Sequence, residues 1–130
     1  MATTIAEHYV EELDKNSRQL VAHSVEMIEI GDRLAEVIRR NTIPGIAELV
    51  EEQQTKLNEV SKKFDSLQAQ FRKQKAVLKP GKDFLDDSQI NTETETLQNQ
   101  LRRKTHTFEK EYIDAKHDCL KFLSDILKKR

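Results

Sequence analysis

The sequence predicts an all-α protein of three long amphipathic helices, a coiled-coil-rich and elongated antiparallel helical bundle. Three observations carry that reading. Apolar residues recur at steps of three and four along three long stretches, the spacing of a helical seam. The breakers pair up at only two places, Pro44-Gly45 and Pro80-Gly81, and leave Gly31 alone. Charged residues make up 35% against 36% hydrophobic, with no Trp, a balance lean for a globular core and usual for helices with narrow seams. At 130 residues the chain has room for one helical domain, 1–130.

Helix 1 is expected over about 4–40. "TIAE" is a capping box, with Thr4 as N-cap and Glu7 reaching back. Leu13, Leu20, Met27 and Leu34 recur every seven residues, with Val10, Ser17, Ser24, Gly31 and Ile38 as companions. The small residues in that second row either admit another helix closely or merely tolerate the spacing.

Helix 2, about 44–79, has the most regular seam: Ile46, Val50, Gln53, Leu57, Val60, Phe64, Leu67, Phe71, Gln74 and Leu78. Val50, Leu57, Val60, Phe64, Leu67 and Phe71 are its expected apolar center. Gln53 and Gln74 are expected to lie partly exposed near the helix ends. The seams of helices 1 and 2 are out of phase across Asn41 to Gly45, and Pro44 removes an amide donor. A break is favored over a kink, with Pro44 as the first residue of the new helix behind Asn41 and Thr42 as caps, making the two helices antiparallel neighbors.

A linker spans 80–91, within which Phe84 and Leu85 are expected to fold back over an apolar end. Thr92 and Glu95 form a second capping box, and helix 3 follows over about 92–129. Its seam is Leu101, Thr105, Phe108, Tyr112, Ala115, Cys119, Phe122 and Ile126, and Lys128, Lys129 and Arg130 suit the negative end of its dipole.

Chemical motifs are sparse. Among the histidines His8, His23, His106 and His117, the nearest match to the Glu-x-x-His motif of bundle metal sites is Asp114-x-x-His117, with no second copy. Cys119 sits in a seam without a histidine at helical spacing, which reads as a buried structural thiol. Three glycines leave no phosphate-binding loop. No catalytic residue, metal or cofactor is therefore expected. A net charge of −1 argues against nucleic acid, and the short basic runs Arg72-Lys73-Lys75 and Arg102-Arg103-Lys104 would make a patch only if they met in space. The lone cysteine, the lack of a long apolar run and an acidic N-terminal stretch set a cytoplasmic expectation, with membrane contact at most peripheral.

The surplus lies in "DCLKFLSDILKKR". Leu120 and Leu127, with Ile113 one heptad earlier, form a second apolar line on helix 3, and Leu123 adds to it. Val21, Val25, Ile28, Ile30 and Val37 do the same on helix 1. A helix apolar on two faces has two neighbors: either the other two helices of a bundle, or a further chain. Leu120, Leu123 and Leu127 are the expected partner interface. The expected function is a non-enzymatic coiled-coil subunit of a larger cytoplasmic assembly, of organelle-tethering, cytoskeletal or kinetochore type. It would associate with other coiled-coil chains or with itself, a hetero-oligomer being favored over a monomer. The alternative is an autonomous three-helix regulatory or membrane-peripheral module in vesicle traffic.

Overall fold

The computed structural model describes residues 3–40 and 43–128. It is an all-α helical bundle of three helices, α1 (Ile5–Arg40), α2 (Ile46–Leu78) and α3 (Thr92–Lys128), with a short 3-10 turn at Asp87–Gln89 and no strand among the described residues. The cap positions Asn41 and Thr42 and the terminal Lys129 and Arg130 lie outside the described residues.

The helices begin for local reasons. Thr4 Oγ1 accepts from the Glu7 amide at 3.2 Å, the N-cap bond expected there. The first free amide of α1, on Ile5, donates to Asp87 Oδ1 at 2.9 Å, so a residue of the linker completes the cap. For α3 the cap sits one residue earlier than expected. Asn91 Oδ1 accepts from the Thr94 amide at 2.8 Å and from Thr94 Oγ1 at 2.9 Å, and Thr92 is the first helical residue. An Asn side chain makes the N-cap as well as Thr does, so the cap moves back by one and the expected Thr92–Glu95 box does not form.

Pro44 does not open α2, as the sequence suggested. It lies in a turn closed by a 3.2 Å bond from the Ile46 amide to the Ile43 carbonyl, and Gly45 follows with φ +81°. Pro then Gly at positive φ is the signature of a type II turn, and α2 starts only after it. In the linker, Phe84 and Leu85 are half-buried. The Leu85 amide reaches back to the Leu78 carbonyl at 2.9 Å, and Lys79 Nζ lies 4.9 Å from the Phe84 ring centroid.

The chain divides into two compact units, and each helix contributes a segment to both. The first joins α1 as far as Val21 to Asp65–Thr107. Here Asp14 pairs with Lys75 and Ser17 with Gln68, so the α1 and α2 segments run antiparallel. Gln98 and Arg102 reach Glu12, with sequence offsets of 86 and 90. The core holds Ala6, Val10, Leu13, Leu20, Leu67, Phe71, Leu78 and Leu101. It also holds Gln74, Thr94, Gln98 and Thr105. Gln74, expected at least partly exposed, is wholly buried. It finds acceptors on α3: Gln98 Oε1 at 3.0 Å and the Thr94 carbonyl at 3.1 Å.

The second unit joins Ala22–Phe64 to α3 from Phe108. His23 meets Glu109, and Glu26 meets Tyr112 and Lys116, so positions rise together and these α1 and α3 segments are parallel. Lys63 pairs with Glu111 while Lys56 pairs with Asp118, so α2 runs against α3. Met27, Ile30, Leu34, Ile46, Val50, Leu57, Val60, Phe108, Tyr112, Ala115, Cys119 and Ile126 are buried. Ile30 takes the inward position that the seven-residue pattern assigned to Gly31.

Candidate functional site

Among the six apolar seam residues of α2, Val50, Leu57 and Val60 are buried in the second unit, and Leu67 and Phe71 in the first. Phe64 is only half-buried. Gln53 is likewise half-buried, and its side-chain and backbone oxygens face the Cys119 thiol at 3.6 and 3.9 Å. Burial pushes that thiol above its ordinary pKa, against the thiolate a nucleophile needs.

The small residues of α1 do not admit a close neighbor. Nothing lies within 4 Å of where a Cβ on Gly31 would sit. Ser24, Gly31 and Ser61 instead line an open hollow of about 510 Å³, with Met27, Ile28, Asp32, Gln54, Leu57 and Asn58. Ser17 donates to Gln68 Oε1 at 2.8 Å rather than yielding to an apolar contact.

A polar cluster joins α1 to α3 in the second unit. The His23 ring stacks on Tyr112 with centroids 4.1 Å apart, and its Nε2 lies 2.9 Å from Glu109 Oε2. Tyr112 Oη donates to Glu26 Oε1, and Lys116 Nζ donates to Glu26 Oε2, both at 2.5 Å. Those bonds, from Lys116 first and Tyr112 second, hold the Glu26 carboxyl below its usual range. Burial, then the bond to Glu26, pushes the Tyr112 phenol well above its ordinary pKa. An ionized carboxylate held by a neutral phenol and an ammonium is an aligning device between helices. None of its members lines either hollow described for this unit.

The basic runs also find partners across helices. Arg102 bonds Glu12 at 2.8 Å and Lys75 bonds Asp14 at 2.6 Å, acidic residues supplied by α1. Lys104 reaches Gln70 at 2.8 Å, so the two basic stretches do lie side by side. No cluster of three or more metal-ligating side chains forms among the described residues.

The strongest feature is the apolar line of α3. Leu120 and Leu123 are half-buried, Ile113 is 57% exposed and Leu127 65% exposed. Beside them an open groove of about 310 Å³ runs between the ends of α1 and α3, lined by Arg33, Glu36, Val37, Arg40, Leu123, Ile126 and Leu127. Glu36 is bonded by both Arg39, at 2.6 Å, and Arg40, at 2.5 Å, and those bonds lower its pKa.

No helix among the described residues is long and apolar enough to cross a membrane. No protein-family model, curated protein or solved structure matches the chain. Its functional reading rests on geometry.

Proposed function

We propose that the chain is a non-catalytic helical interaction subunit of a larger cytoplasmic assembly, working by helix-against-helix association with other coiled-coil chains. The observation that carries this reading is the exposure of Ile113 and Leu127, seam-spaced apolar residues on the outside of a bundle segment that already buries Phe108, Tyr112, Ala115, Cys119 and Ile126 of its own seam. Organelle-tethering, cytoskeletal and kinetochore assemblies are the types this reading covers. A second reading, an autonomous three-helix module acting in vesicle traffic, is favored by the sealed apolar cores built from one chain.

The test is a photo-cross-linking amino acid placed singly at Val25, Val77 and Ile113, exposed positions on the three helices. Discrete adducts with other helical proteins in cells, and a native particle larger than the monomer, are expected. Absence of adducts at all three positions, with a monomer in the lysate, would rule the subunit reading out and leave the autonomous module.

A further inference from the structure

Building on the subunit reading, we propose that the groove between α1 and α3 seats a fourth helix, supplied by a partner whose apolar stripe is flanked by acidic residues. The shape argues for a helix. Leu120, Leu123 and Leu127 are spaced by three and then four, with Ile113 seven residues earlier, so the ridge presents knobs at the repeat that only a helix matches along its length. From Ile113 to Leu127 the ridge runs about 21 Å at 1.5 Å per residue, enough for roughly four turns of a partner. The floor beside it is apolar, with Val37, Leu123 and Ile126.

Charge selects among helices. Arg33 and Arg40 line the groove and Arg39 lies next to it, against the single carboxylate of Glu36. Glu36 is already shared between Arg39 and Arg40, and Arg33 has no ion-pair partner among the described residues. The rim therefore carries a surplus of positive charge, which favors glutamates or aspartates beside the incoming stripe and repels lysines there.

The experiment uses the full chain and two designed 21-residue heptad peptides, identical in their leucine seam and differing only in flanks of Glu or of Lys. Fluorescence anisotropy should show the Glu peptide binding at least tenfold more tightly than the Lys peptide. Leu127→Asp should weaken it tenfold or more with the CD melt unmoved, and Arg33→Glu, an exposed change that spares the fold, should invert the preference. Amide shifts on binding should fall on the ends of α1 and α3.

Equal affinity for the two peptides, or shifts confined to α2, would overturn the proposal. So would a homodimer by light scattering that Leu127→Asp dissolves, which assigns the groove to a second copy. Sedimentation with phosphatidylserine vesicles that Leu127→Asp abolishes, with neither peptide bound, would assign it to a membrane instead. If cross-links in cells appear at Val25 or Val77 while the peptides fail, the subunit reading stands and only this groove assignment falls.

Discussion

Gln74 Nε2 donates to Gln98 Oε1 across 3.0 Å, with both side chains wholly buried between α2 and α3. Gln98 in turn donates to Glu12 Oε1 at 2.8 Å and to the Tyr9 carbonyl at 3.3 Å, so three helices of the first unit share one polar chain. Within this polar chain Gln74 Oε1 is buried without a hydrogen-bond partner. Such a chain costs stability relative to an apolar core but penalizes any slip of α2 against α3.

Gln74→Leu strands the Gln98 carbonyl oxygen and should cost about 1–3 kcal/mol. Adding Gln98→Leu removes that stranded acceptor but also takes the Gln98 donor from the Tyr9 carbonyl and from Glu12, which keeps Arg102. A double-mutant cycle by urea denaturation should give a coupling of about 1 kcal/mol between the two positions. Strict additivity would show that the pair is not bonded.

Phe71 and Phe64 hold equivalent places in the α2 repeat, yet Phe71 is 2% exposed and Phe64 is half-buried. Phe71→Ala should cost about 3–5 kcal/mol, and Phe64→Ala clearly less, because fewer contacts and less cavity are lost. Chemical denaturation of both variants checks the order. A larger loss at Phe64 would mean that Phe64, not Phe71, is the more deeply packed of the two.

Two glycines should respond in opposite directions to Ala. Gly45 holds φ +81°, which a Cβ resists, so Gly45→Ala should lower stability by about 1 kcal/mol. Gly31 sits in mid-helix with open space around its missing Cβ, so Gly31→Ala should raise stability by about 0.5–1 kcal/mol. Thermal melts decide both.

The Glu26 and Tyr112 pair bounds the pH range. Glu26 has a depressed folded pKa, so its contribution is present above the ordinary glutamate value of about 4.3 and is lost as pH falls below it. Tyr112 is raised, so its contribution is full below about pH 10 and is lost as pH climbs beyond. Tyr112→Phe should cost about 1.5 kcal/mol at neutral pH through the lost charge-assisted bond. It should also shrink the alkaline loss of melting temperature. Some alkaline loss should remain, because the buried Cys119 thiol is raised too. An unchanged alkaline limb would place the phenol outside the coupling.

The sequence by itself determined the three helices and their seams. Seam spacing and Pro-Gly turns are set by residues within a few positions of each other, so they are readable without knowing what lies opposite. It also marked Leu120, Leu123 and Leu127 as surplus to one seam. What only the tertiary structure decided is which seam positions are filled by polar groups and which apolar ones are left outside. Gln74 and Gln98 are buried because each finds its partner 24 residues away along the chain, and Ile5 is capped by Asp87, 82 residues distant. Leu127 stays exposed while Ile126 beside it is buried. Burial of a side chain depends on the groups a facing helix brings to it, and a one-dimensional repeat carries no record of those.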